Sequence, residues 1–159
     1  MGQEETILFF RDDHQKLKDV ILKLTESQMR THKVQGSWTV KDILAHISAW
    51  NWEIIAQADG ILSGVKPWYT NKTEAEFNEE AVKTRESWSI ERIISEWHES
   101  FSALISKLMG FSGEEWIFEL EDEWPAGGQV SVFSVFGYRY HGEGHEGGHA
   151  EIIKNYFKL

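Results

Sequence analysis

The chain predicts an all-α fold, a four-helix bundle, on three observations. Apolar residues recur at spacings of three and four over four long stretches, the period that puts them on one face of an α-helix. Helix-capping signals stand in front of several of these stretches. No stretch alternates apolar and polar residues over the length of a strand, residues 129–135 being short and isolated, and about four long helices without strands pack as a bundle.

Length and composition bound the rest. The 159 residues predict one domain, 1–159, long enough to bury a core, and 41% hydrophobic residues with eight tryptophans describe a globular chain. The formal net charge of −10, with a pI near 5.1, predicts repulsion from phosphate backbones and anionic lipid. With no Lys/Arg stripe in view, the expectation is no nucleic-acid partner and no membrane partner. Cysteine is absent, which removes disulfides and thiolate ligands and leaves histidine and carboxylate to bind metal. No basic N-terminus leads into an apolar run and no apolar stretch approaches eighteen residues, so the expected location is cytoplasmic.

Residues 4–28 carry Ile7, Phe10, Leu17, Val20, Ile21 and Leu24 at helical spacing, with His14 on the same stripe, and predict a first amphipathic helix. Residues 29–37, with His32 and Gly36, read as a connection. Thr39 and Asp42 form a capping box for a second helix whose buried edge is Ile43, Ile47, Trp50, Ile54 and Ile61, ending near Ser63-Gly64 before Pro67. His46 lies beside that edge, with Asp42, Trp50 and Glu53 nearby. After a loop holding Trp68 and Tyr69, Thr73 and Glu76 start a polar helix to about Glu86. Ser89 caps the clearest helix, with Ile90, Ile93, Ile94, Trp97, Phe101, Leu104, Ile105 and Leu108 on one face and Gly110 at its end. A break near Ser87 is favoured over one continuous helix. Residues 111–130, with Trp116, Trp124, Pro125 and Gly127-Gly128, predict irregular structure, and Ser131 is the expected cap of the last helix.

That last stretch contains His141, His145 and His149, one every fourth residue, continued by Tyr138, Ile152, Tyr156 and Leu159. On a helix, neighbours in such a row lie ~6 Å apart, close enough for two imidazoles to grip one ion, whereas the outer two lie ~12 Å apart and cannot share it. Spacing leaves two pairs open, His145 with His149 and His141 with His145. Five glycines, at 137, 142, 144, 147 and 148, oppose this helix at ~1 kcal/mol each relative to alanine and require packing or a bound ion to hold it. His14 is expected in the core or lining a pocket, His32 and His98 on the surface. Glu53, Glu143 and Glu146 are candidates for a general base or for orienting a ligand imidazole, although a solvated glutamate is the commoner role for each.

Two motifs together carry a resemblance. Trp38-Thr39-Val40-Lys41-Asp42-Ile43-Leu44-Ala45-His46 resembles the second-helix signature of the DinB/YfiT-like superfamily, and His145-Glu146-Gly147-Gly148-His149-Ala150-Glu151-Ile152 resembles its C-terminal H-x-x-x-H. The resemblance covers nearly the whole chain and implies a DinB-like four-helix bundle holding a divalent ion on His46, His145 and His149. Glu151 replaces a frequent glutamine, and the glycines around the pair depart from the pattern. The family includes thiol-dependent transferases, a thiol-dependent isomerase and proteins described as metal-dependent hydrolases. A branch of drug- and toxin-resistance proteins shares the helix-two signature but lacks the terminal pair.

Three neutral imidazoles leave open coordination positions on a divalent ion, the arrangement of a catalytic rather than a closed structural site. The resulting expectation is a metal-dependent enzyme acting on a small-molecule substrate, by hydrolysis or by transfer of a low-molecular-weight thiol cosubstrate to an electrophile. Zinc or nickel is the expected metal, with iron also suited to imidazole. His141 or a carboxylate, Glu53 first among them, would handle the proton. The alternative is a small-molecule binding or resistance protein with a structural metal. The resemblance also implies a homodimer.

Overall fold

A computed structural model describes residues 1–67, 73–137 and 141–159, so Trp68, Tyr69 and Tyr138 fall outside the described part. Four long helices form the bundle expected: α1 (Gln3–Ile21), α3 (Val40–Leu62), α5 (Ile90–Gly110) and α8 (His145–Phe157). Between them run α2 (Glu26–Thr31), α4 (Glu74–Lys83), α6 (Gly113–Trp116), the strands β1 (Glu119–Glu123) and β2 (Gln129–Ser131), and α7 (Val132–Val135). The most extensive helix packing joins α3 to α5 and α1 to α8, followed equally by α1 to α5 and α3 to α4, and α3 also meets α8.

Local chemistry explains most of the boundaries. Thr39 Oγ1 accepts the Asp42 N–H at 3.2 Å while the Asp42 carboxylate accepts the Thr39 N–H at 2.9 Å, so α3 starts where the capping box predicts. Ser63 and Gly64, the latter at φ 77°, close it. Thr73 with Glu76 starts α4 in the same way, and Ser89 caps α5, which confirms the break between them. The first helix ends at Ile21 rather than near Gln28. Thr25 and Gln28 form a capping box of their own and begin α2 anew.

Two expectations about the C-terminal third need correction. Residues 119–131 form a two-stranded antiparallel hairpin with an irregular register, turned at Gly127 and Gly128, both at φ above 90°. Its first strand, Glu-Leu-Glu-Asp-Glu, carries a single apolar residue and gives no alternating signal. Tertiary packing of Leu120, Trp124 and Val130 holds it instead. Ser131 does cap a helix, but α7 has only four residues, and α8 begins at His145. His141 (φ 52°) and Gly142 (φ 80°) have left-handed backbone, so a helix cannot continue through them. Of the five glycines, only Gly147 and Gly148 lie inside α8.

The core has two apolar clusters. One is built on Leu17, Ile43, Leu44, Ile47, Ile93, Trp97 and Ile153, the other on Ile61, Leu104, Leu108, Val130, Val132 and Phe136. Burial of each such side chain is worth about 1.5–3 kcal/mol relative to exposure. Between them lies a band of buried polar residues at matching heights on all four helices: Asp13 and His14 on α1, His46 and Asn51 on α3, Ser100 on α5, Glu146 and His149 on α8. An interruption of this kind lowers the apolar burial of the bundle, and it positions the site.

Candidate metal centre

The polar band opens into a cavity of about 710 Å³. Its walls come from α1 (Phe9, Phe10, Asp13), α3 (His46, Trp50, Asn51, Gln57), α4 (Asn78), the hairpin turn (Trp124) and the start of α8 (His145, His149). A chamber of that size with aromatic walls and a few converging polar groups suits a small organic molecule.

His46, His145 and His149 meet on this wall, each offering one nitrogen, and the three nitrogens lie within 4.8 Å of one another. The Nε2 atoms of His46 and His145 are 2.8 Å apart, with their rings nearly perpendicular at 82°. His149 completes the triangle, its ring centroid 5.0 Å from that of His145 and 5.2 Å from that of His46. The helices make this possible in two ways. The i, i+4 spacing stacks His145 over His149 on one face of α8, and α3 crosses that face with His46 about two turns inside its capped N-terminus. Trp38 closes the far side, its ring 4.9 Å from that of His46.

All three imidazoles are held neutral. Burial pushes His46 down to about 4, with neighbouring Asn78 opposing the shift. Burial also brings His149 to about 3, reinforced by the charges that His46 and His141 would carry. His145 lies well below its ordinary range, through burial first and then its two partners. Neutral nitrogen is the state a metal requires. The surroundings fit a divalent ion in another respect: His149 Nδ1 stands 3.0 Å from Gln35 Oε1, so an N–H there donates to the amide oxygen and leaves Nε2 as the lone-pair atom. Among the described residues His46 Nδ1 is buried without a hydrogen bond. Three convergent neutral imidazole nitrogens, each able to turn a lone pair to one point, are a donor set that suits a divalent cation.

The other sequence candidates separate. His141 is exposed and outside α8, yet close enough to His149 for their charges to interact. Glu53 stays on α3, where its Oε1 accepts from Gln57 Nε2 at 3.2 Å, and it is Gln57 that faces the cavity. Glu143 pairs with Lys16 at the surface. Glu146 is buried, bonded to His14 Nδ1 at 2.7 Å and to Trp97 Nε1 at 3.1 Å. His14 is in the core as expected, stacked on Phe101, and His32 is exposed. His98 is only half at the surface, its ring lying on Trp97 at 4.6 Å. Sequence reasoning passed over Gln35, Asn78 and Asp13. Gly36, at φ 57° in the tight turn between Gln35 and Trp38, was the available signal for Gln35. Asn78, which accepts from Trp50 Nε1 at 2.7 Å, and Asp13 carried none.

Among curated proteins none matches the sequence. Solved structures share the fold at low identity. A mycothiol-dependent maleylpyruvate isomerase superposes with a TM-score of 0.74 at 13% identity over 96% of this chain, which spans 61% of the isomerase's length. The colibactin self-resistance protein ClbS, solved in complex with a double-stranded DNA, gives 0.76 at 12% identity, covering 99% of this chain and 96% of ClbS. A protein from Streptococcus pneumoniae gives 0.75 at 14% identity, covering 100% and 92%. The ClbS complex corrects the exclusion of nucleic acid drawn from net charge. The charge of −10 is a sum over the whole chain, whereas a duplex meets one face, and a fold of this kind is seen on DNA. Among the described residues no helix is long and apolar enough to cross a membrane. The sequence profile of the DinB superfamily matches residues 10–153, almost the full length, and the chain belongs to that superfamily.

Proposed function

We propose that this protein is a metal-dependent enzyme that binds a divalent ion, zinc or nickel, on His46, His145 and His149 and acts on a small electrophile by hydrolysis or by transfer of a low-molecular-weight thiol. The observation that carries the reading is the meeting of three neutral imidazole nitrogens on the wall of an aromatic-lined cavity. A divalent ion so held keeps coordination positions open and supplies Lewis acidity to a thiol or a water. The mycothiol dependence named for the maleylpyruvate isomerase is in keeping with the thiol branch. Trp38, Trp50 and Phe10 exclude bulk water and pack the apolar part of the substrate, while Asn51 and Gln57 offer hydrogen bonds to its polar part. Proton transfer is assigned to His141, whose charge acts on His149, while Glu53 orients the Gln57 amide that faces the cavity.

The second reading, a small-molecule binding or resistance protein with a structural metal, draws on the cavity's size and on the self-resistance role named for ClbS. Cobalt-substituted protein separates the two. An open position predicts that a small thiol or azide moves the ligand-field bands, and that the loaded protein conjugates or hydrolyses small electrophiles in a screen. Bands unmoved by either ligand, with no turnover, would favour the binding protein.

A further inference from the structure

We infer that Asp13 and His14, adjacent residues of α1 that supply no ligand, clamp the first turn of α8 and thereby position His145 and His149 for the metal; the inference rests on the three-histidine reading above.

The N-cap of α8 is Gly144, which has no side chain to receive the free N–H groups of the first turn. Asp13 serves in its place from another helix. Its Oδ1 accepts the Gly144 N–H at 3.1 Å, and the N–H groups of Gly147 and Glu146 also point at the carboxylate. A negative group at this end also complements the helix dipole. The contact is close enough to dictate sequence: a Cβ at position 144 or 147 would overlap the Asp13 carboxylate, so both positions require glycine for space, although each weakens the helix by its own propensity.

His14 holds the same turn by a second point. Its Nδ1 lies 2.7 Å from Glu146 Oε2, and Trp97 Nε1 donates to the other oxygen at 3.1 Å. The His14 ring is itself fixed, stacked on Phe101 at 3.7 Å and 6°. Glu146 is 5% exposed, so this carboxylate is an internal strut and not a solvated one. Residues 144, 146 and 147 are therefore gripped from α1 and α5 while 145 and 149 face α3. The geometry is demanding. Turning a helix by about 20° moves a side-chain end about 6 Å from its axis by about 2 Å, as much as a whole zinc–nitrogen bond of about 2 Å. A first turn free to rotate by that amount would present His145 to a different point in the cavity.

Full-length wild-type protein is compared with Asp13→Asn, Asp13→Ala, His14→Gln, Gly147→Ala and the double variant Asp13→Ala/Gly147→Ala. Folding is read by near-ultraviolet circular dichroism, cobalt affinity by competition with a chelator, and ligand geometry by the cobalt ligand-field spectrum. Gly147→Ala alone should be disrupted by overlap, and the double variant should recover most of its fold because the overlapping carboxylate is gone and only the Glu143 Cβ, at 3.1 Å, must give way slightly. The folded double variant and His14→Gln should bind cobalt at least tenfold more weakly, with displaced bands, while Asp13→Asn, which keeps an acceptor oxygen, should stay closer to wild type. A folded double variant with wild-type affinity and spectrum would overturn the inference. Wild-type protein that takes up no cobalt would instead sink the metal site. The clamp is then judged in the metal-free protein, where faster amide exchange over 145–149 in the double variant supports it and unchanged exchange refutes it.

Discussion

Lowering the pH on the metal-free protein tests the buried state of the histidine cluster directly. His46 is 5% exposed and His149 3%, and both must stay neutral to remain buried. Each pKa unit is worth about 1.4 kcal/mol. The displacement of His46 from 6.5 to about 4 therefore corresponds to about 3 kcal/mol. His149, displaced to about 3, carries a comparable amount, but part of its displacement is the charge of His46, so the two do not add. A loss of roughly 3–5 kcal/mol from the cluster follows. Both pKa values are depressed in the folded state, so the unfolded chain binds more protons between 6.5 and the folded values. Their contribution is complete above pH 6.5 and is lost as pH falls toward 4. Asp13 acts the other way: burial raises it above 3.8, so it favours the folded state at low pH and offsets some of the loss at the bottom of the window. Against a total stability of ~5–15 kcal/mol, that loss removes from about a fifth to nearly all of the stability of the metal-free protein by about pH 4. Urea unfolding followed by tryptophan fluorescence, at steps from pH 7 to 4.5, gives the free energy at each pH. A value that stays flat or rises as pH falls from 6.5 would refute the reasoning, and His46→Asn should reduce the slope.

Replacing His46, His145 or His149 by alanine should each abolish stoichiometric metal in elemental analysis, whereas His32→Ala and His98→Ala should leave it in place; full metal in all three of the first set would disprove the ligand assignment. Removing metal with a chelator at neutral pH should speed amide exchange over 141–149 before it affects α5, and equal protection with and without metal would mean that packing alone holds α8. Thr39→Ala deletes the cap of α3, so it should cost about 1 kcal/mol and lower Tm by roughly 2–4 °C in thermal unfolding. An unchanged Tm would show that tertiary contacts hold the start of that helix without the cap.

Much of the bundle is legible in the chain because its determinants are local. The boxes at Thr39/Asp42 and Thr73/Glu76 and the cap at Ser89 act within one turn, so reading them needs no knowledge of neighbours. The i, i+4 pair His145/His149 and the bundle period of α5 are of the same kind. Two mistakes had local signals that lost to a longer pattern. Thr25 with Gln28 marked the start of α2 inside an apolar stripe that ran on past Ile21, and the glycines at 142 and 144 marked non-helical backbone directly before His145, beneath a tempting histidine row. A period of four is compatible with a helix but does not require one, and left-handed backbone at His141 and Gly142 decided the matter.

What the sequence determined by itself is the set of amphipathic faces, their caps and the chemical types available to bind metal, since these depend on spacing and residue identity along one chain. The tertiary structure alone decided which polar groups share a layer. Asp13 reaches Gly144 across 131 positions, His14 reaches Glu146 across 132, and Gln35 reaches His149 across 114. Such partners are chosen by how α1, α3 and α8 are packed and rotated against one another. That rotation is set by the sum of many apolar contacts, which leaves no mark at the residues it brings together.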